Sequence, residues 1–486
     1  MIINIILTLF LGMILISMVL KNIKIISLIN ITGMILVGCF FTNIVQNVYK
    51  NGHISFFNNF IYIDSLNVIQ IFIIVSISII ALIYAHKYIS HELHEKLVTL
   101  STAKSFYILF NLFVMSMMIV ALSNNIVGMW MGLEATTIST AFLIGFNRNK
   151  SSLEAAWKYI IICSLGIGIG LIGIILFIYS ASSGAESELA NWTYLASNPG
   201  ILNIDVAKIA FVFIFIGIGT KAGIAPMHTW LPDGHSEAPS PISAMMSGIL
   251  LNLALYVVIR FYIIIKVIPE IENLKYLFIV FGCISLIVSS FSILKQNNYK
   301  RLLAFSSIEN MGIITLGIGF GGYIAVFGAL LHSIIHAFGK TLLFLVSGNI
   351  LSEYKTKRIN KIHNMIKTMP LNAVFLILGM LVIVGSPPFA SFLSEYKVMI
   401  GGIQTDYYIP VIILAVCLLI VFVGFLKFFI KMVFEHRDDE VYTKSSKDKE
   451  NVVPLIIAFT FIILTSIFFG GCLNDILDRA TLIING

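Results

Sequence analysis

The sequence predicts an all-α polytopic membrane protein of about fourteen transmembrane helices, arranged as two inverted five-helix repeats that each hold a broken helix. Three observations predict it. The 486 residues are 58% hydrophobic and only 11% charged, with a mean hydropathy of +0.97. The apolar residues fall into successive runs, most of them near the ~20 residues that cross a bilayer. Two runs are interrupted by prolines, five spans apart.

Soluble chains carry about a quarter charged residues, so a soluble protein is excluded. The net charge is +7, but the basic residues are scattered over short loops without a long basic block. They read as membrane topology, and no nucleic-acid partner is expected. Cys39, Cys163, Cys283, Cys417 and Cys472 lie apart, within or beside apolar runs. They show no metal or cluster spacing, so no metal, cofactor or disulfide framework is expected. The glycine strings "GIGIGLIG" (166–173) and "GIGFGG" (317–322) sit in apolar runs with no strand before them. They read as close helix packing rather than nucleotide loops.

The first run, 2–20, has no basic segment before it, and Lys21 and Lys24 follow it. It reads as an uncleaved helix with its N-terminus outside. Further spans are expected at 25–42, 62–85, 105–123, 126–146, 157–179, 206–226, 242–264, 274–294, 302–320, 322–350, 370–402, 408–432 and 452–472. An even number of spans puts both termini on one side. The loops on the other side then collect most of the cations, including Lys295, Lys300, Arg301, the five of 351–369, and Arg437, Lys444, Lys447 and Lys449. The termini side holds only Lys50, Lys208, Lys266, Lys275 and Arg479. The basic side should be the cytoplasm of a plasma (inner) membrane, with both termini outside.

The seventh span ends in "APMHTWLPDGHSEAPSP", where Pro226, Pro232, Pro239 and Pro241 cannot share one regular helix. The twelfth contains "GSPPFASFLSEYK", broken at Pro387 and Pro388. Broken backbone in a membrane must be buried in protein or line a wet cavity. Helices 4–8 and 9–13 each hold one break at the third position, and five being odd, the two units run in opposite directions. The expected organisation is therefore three N-terminal helices (1–100), a first repeat (101–265), a second inverted repeat (266–435), and a cytoplasmic loop with the last helix (436–486). Simple proline kinks are the alternative.

Ionisable residues inside these spans are expensive. Glu134 stands in helix 5 and Lys221 just before the first break. His332, His336 and Lys340 are spaced i, i+4, i+8 in helix 11, on one stripe. Glu395 and Lys397 follow the second break, and Lys427 lies in helix 13. Together these make a row of protonatable sites, and making or breaking a Glu134–Lys221 pair would load or release a proton. Arg260 and Lys431, near helix ends, read as snorkelling side chains. Lys158 and Glu309 lie toward cytoplasmic helix ends, as proton-intake groups or interfacial anchors. His228, Asp233, His235 and Glu237 lie in or near the first break, as a proton path or as braces for its freed backbone.

The stretches "KAGIAPMHTWLPDGHSEAPSP", "KRLLAFSSIENMGI", "LLHSIIHAFGKTLLFLVSGNI" and "GSPPFASFLSEYK" resemble the antiporter-like subunits of respiratory complex I, a family that includes Mrp cation/proton antiporters and membrane arms of nickel–iron hydrogenases. With "HSEAPSPISAMMSGILLNLALYVVIRFYIII", the chain looks most like the F component of hydrogenase-4. The resemblance implies two inverted repeats, proton translocation, and partner subunits that hold the redox chemistry. It places the family's charged pair on Glu134 and Lys221, its helix 11 histidines on His332 and His336, and its terminal carrier on Glu395. Where the family usually has a lysine in helix 8, this sequence has Asn252. The runner-up is a subunit of an NADH–quinone oxidoreductase or of an Mrp antiporter, and a non-conducting scaffold is the alternative of another class. Only "NDILDRATLIING" follows the last span, so the complex I subunit with a long lateral helix is not expected.

Overall fold

The computed structural model describes residues 2–181, 184–185, 188–436, 451–467 and 471–485. Helices α1 (Ile2–Val19) and α2 (Ile23–Asn51) lead into a small antiparallel hairpin of β1 (Ile54–Phe56) and β2 (Ile61–Ile63), with Ile54 opposite Ile63. Helices α3 (Ser65–His94), α4 (Leu100–Leu122), α5 (Ile126–Ile144), α6 (Lys150–Ser180), α7 (Trp192–Ser197) and α8 (Ile204–Ala222) follow. Short α9 (Leu231–Glu237) and α10 (Ser240–Met245) precede α11 (Leu251–Ile265). The second half holds α12 (Lys275–Leu294), α13 (Tyr299–Phe320), α14 (Gly322–Tyr354), α15 (Met365–Thr368), α16 (Pro370–Ile383), α17 (Ala390–Gln404), α18 (Tyr408–Phe434), α19 (Val453–Ile467) and α20 (Cys472–Asn485).

Every expected span coincides with a helix or a helix pair. Among the described residues ten helices are long and apolar enough to cross a membrane alone. The remaining expected spans are short α1, α8 with its three charges Asp205, Lys208 and Lys221, the broken α16–α17 pair, and α19. Glu186, Ser187, Arg437, Lys444, Lys447 and Lys449 lie outside the described residues. The hairpin, α7, α15 and α20 are additions that the apolar runs do not reveal. α20 packs on α14 and α3, with Tyr49 donating to Asp475 at 2.8 Å.

Helix starts follow from local chemistry. Asn22, Asp64, Thr99, Asn125, Asn149, Asn203 and Asn298 accept from the first free N–H groups of α2, α3, α4, α5, α6, α8 and α13. The first glycine string packs as expected. A Cβ on Gly217 of α8 would lie 2.3 Å from the Gly170 nitrogen of α6, so the helices touch backbone to backbone. That approach carries Lys221, one turn further on, within reach of α5.

Both breaks are built alike. α8 ends at Gly223, whose φ of +74° suits glycine. The Trp230 indole donates to the freed Thr220 carbonyl at 2.9 Å, and Ser285 of α12 accepts from the Ala225 N–H at 2.9 Å. In the second break Gly385 has φ +66°, and Ser466 of α19 accepts from the Ala390 N–H at 3.0 Å. Freed backbone groups thus find partners in neighbouring helices, as a membrane interior requires.

Two cations differ from the sequence reading. Arg260 does not snorkel. It is 1% exposed and paired with Asp64 at 2.7 and 2.8 Å, because the carboxylate capping α3 faces it across the bundle. Lys300, counted as a loop cation, is 1% exposed and donates to the Ala238 carbonyl at 3.2 Å, since α13 begins beneath the first break.

Candidate proton-transfer axis

Lys221 is fully buried at the end of α8. Its ammonium donates to the Leu133 carbonyl and, at 2.5 Å, to the Thr137 hydroxyl, both on α5. Glu134 sits between those two residues in sequence. Its Oε2 is 3.4 Å from the Thr137 hydroxyl, and its Oε1 accepts from Ser164 of α6 at 3.0 Å. The two charges are therefore joined through Thr137 rather than by direct contact. A hydroxyl accepts from the ammonium and donates to the carboxylate with its single proton.

Lys340 of α14 has a similar setting. It is fully buried and donates to the Leu303 carbonyl at 2.9 Å and to the Ser306 hydroxyl of α13. Glu309, also fully buried, lies one turn beyond Ser306. Here the carboxylate is held by Asn310, whose amide donates to Oε2 at 2.7 Å. Glu309 Oε1 has no hydrogen-bond partner among the described residues.

Asn310 extends the hydrogen-bonded chain. Its amide donates to Glu309 and, at 2.6 Å, to the Ser306 carbonyl, which turns its oxygen toward His332 Nε2 at 3.0 Å. His332 Nδ1 is 2.9 Å from the Ser394 hydroxyl, itself 2.7 Å from the Ser391 carbonyl. One hydroxyl proton cannot serve both. With the ring neutral, Ser394 donates to Nδ1. When the ring gains a proton, Nδ1 donates and the hydroxyl turns to Ser391. Glu395 follows Ser394 on α17, 4% exposed, with its carboxylate against Gly385 of the break.

The other expected residues divide. His336 is buried between His332 and Lys340, with both ring nitrogens unpartnered among the described residues. His235 donates through Nδ1 to the Leu231 carbonyl, 3.0 Å away, and its Nε2 is unpartnered among the described residues. His228 is half-buried beside Phe305, with Nδ1 unpartnered among the described residues. Asn252 donates to the Gly248 carbonyl at 2.9 Å and the Ser333 carbonyl at 3.2 Å. Those bonds fix its orientation just beyond a π-helical turn, Met246–Leu250. Asp233 pairs with Lys158 at 3.1 Å and with Arg301, and Glu237 pairs with Lys357 at 2.7 Å. These pairs tie the first break to the surface.

Two expected members, Lys397 and Lys427, stand off the row, and so does Lys158, expected as an intake group or an interfacial anchor. Lys158 is exposed and also pairs with Glu154 at 2.7 Å. Lys427 is exposed on α18, because that helix turns only one face inward. Lys397 is half-buried with its ammonium over the Phe327 ring at 4.8 Å, on a different face of α17 from Glu395. Sequence reading missed the uncharged links Thr137, Ser164, Ser306, Asn310 and Ser394, and the buried Lys300. Spacing was the available signal for Thr137: it lies three residues after Glu134 and so on the same helix face.

Residues 123–422 match the family described as NADH:quinone oxidoreductase/Mrp antiporter, transmembrane. The chain belongs to this family. It is a multi-pass membrane protein by that membership and by its apolar helices. It is similar to the hydrogenase-4 component F homolog of Methylacidiphilum infernorum, 36% identical over 70% of this chain and 72% of that protein. It is also similar to hydrogenase-4 component B of Escherichia coli, 28% identical over 68% of this chain but only 49% of that longer protein. Among solved structures, a chain of an archaeal membrane-bound sulfane sulfur reductase superposes with a TM-score of 0.86 at 22% identity. That match covers 100% of this chain and 97% of the other, and it shows the shared fold.

Proposed function

We propose that this chain is a proton- or cation-translocating subunit of a hydrogenase-4-type redox complex, coupling electron transfer in partner subunits to ion movement. The observation that carries the reading is the pair of fully buried lysines, Lys221 and Lys340. Each ammonium is held by one backbone carbonyl and one hydroxyl of the next helix, with a glutamate within a turn of that hydroxyl. Charges that serve packing alone gain most from direct pairing. These are arranged to give up a proton. The similarity to hydrogenase-4 components supports the choice of complex, whose redox centres sit in membrane and peripheral partners.

Residues 101–265 and 266–435 serve as the two inverted repeats, after the N-terminal helices of 1–100 and before 436–486. Their neighbour order supports this: α4 packs on α5, α5 on α6 and α6 on α8, as α12 does on α13, α13 on α14 and α14 on α17. Proton transfer runs through Glu134, Lys221, Lys340, Glu309, His332 and Glu395, with His336 and His235 beside it. The membrane is the plasma membrane, with both termini outside, so a cysteine placed at Thr356 labels only from the cytoplasm.

The test is redox-driven quenching of a pH-sensitive dye in inverted membrane vesicles that hold the whole complex. Lys221→Ala and Lys340→Ala should each abolish quenching while the complex assembles. Full quenching in the double variant would return the chain to a scaffold. Quenching that depends on sodium would make the ion sodium and favour an Mrp-like antiporter.

A further inference from the structure

We propose that Thr137 is the proton-relay residue between Lys221 and Glu134, a role that rests on the translocation reading above. Three observations carry it. The hydroxyl is the only side-chain group among the described residues recorded in contact with both charges, at 2.5 Å from the ammonium and 3.4 Å from the carboxylate. It is buried, with 1% of its residue surface exposed, so solvent does not short-circuit the step. Its rotor has two acceptors, Glu134 Oε2 and the Leu133 carbonyl, each at 3.4 Å.

The step balances without a co-reactant. The ammonium gives one proton to Thr137 Oγ1 as the hydroxyl's own proton passes to Glu134. The products are a neutral amine, an intact hydroxyl and a neutral carboxylic acid. Turning the hydroxyl to the Leu133 carbonyl then breaks the path and holds the proton on Glu134. Ser164, 3.0 Å from the other carboxylate oxygen, keeps Glu134 aimed during the turn.

The second lysine marks what is particular here. Ser306 accepts from Lys340 and lies 3.1 Å from the Leu303 carbonyl, but Glu309 is engaged by Asn310 instead. Among the described residues, a hydroxyl completes a lysine-to-glutamate bridge only at Thr137.

The test compares Thr137→Val, Thr137→Ala, Thr137→Ser and Lys221→Ala in vesicles carrying the whole complex, reading protons moved per electron against assembled complex. The valine and alanine variants should lower the ratio about tenfold or more, a conservative floor against the roughly 10²–10⁴-fold that a positioned proton-transfer group contributes. Serine, which keeps the oxygen, should restore it. A purely structural role would instead move assembly and spare the ratio in whatever complex forms, and that result overturns the proposal. So does a normal ratio in both valine and alanine variants while Lys221→Ala is inactive. A normal ratio in Lys221→Ala would overturn the translocation reading itself.

Discussion

Two cations are buried in the same bundle and handled in opposite ways. Arg260 is held by four bonds: two guanidinium bonds go to Asp64, a third to Asn67 at 2.6 Å and a fourth to Tyr256 at 3.0 Å. Its plane also lies 4.4 Å from the Trp192 ring centroid. Lys221 has a carbonyl and a hydroxyl, and its carboxylate stands one bond further away. The guanidinium cannot lose its proton and its fork matches a carboxylate, so it suits a fixed joint. The ammonium is a point charge that can be neutralised when buried, so it suits a carrier. A direct ion pair locks a charge in place, whereas a hydroxyl between the partners lets it move.

Breaking the joint should have the largest effect. Asp64→Ala leaves a guanidinium buried without its carboxylate, which costs about 3–5 kcal/mol. The complex should be lost from membranes, measured as yield and melting temperature. A replacement at Lys221 inverts the outcome: Lys221→Ala should leave assembly near normal while ion movement stops, since the Leu133 carbonyl and Thr137 stay bonded within α5. Next, His332→Gln keeps hydrogen bonding but cannot carry a proton. It should slow transport while leaving the melting temperature nearly unchanged, and equal loss of both would make His332 a joint like Arg260. The smallest effect belongs to the surface pairs. Glu237→Gln removes a partly exposed bond to Lys357, worth about 0–1 kcal/mol, and transport should stay normal. A slowed but fully stable Glu237→Gln complex would put the first break back on the ion path.

The comparison also shows what a linear sequence carries. Runs of apolar residues and the proline pairs made the spans and breaks legible, because crossing a bilayer needs length and broken backbone needs a cause. Buried charges were legible as unusual, but their facing was not. Lys158, Lys427 and Lys221 all read as lysines in apolar runs, and only packing separates the exposed pair from the buried one. Asp64 passed unremarked inside the expected span 62–85, and only the structure shows it capping α3, with Asn67 completing the capping box. Its partner, far along the chain, was not legible either. The uncharged links were hardest to see, since Thr137, Ser306 and Ser394 are ordinary helix residues until a neighbouring helix brings a charge to them. Asn252 was seen as a departure from the family. Its bonds to Gly248 and Ser333 depend on a π-helical turn that no residue pattern announces.

The central claim is that a proton passes between Lys221 and Glu134 during turnover. Redox-triggered infrared difference spectroscopy of the reconstituted complex tests it most directly, through the carbonyl stretch of a protonated carboxylic acid. The account predicts such a band in the unmodified complex, absent in Glu134→Gln and absent again in Lys221→Ala, which has no proton to pass. The same band persisting in both variants would contradict it.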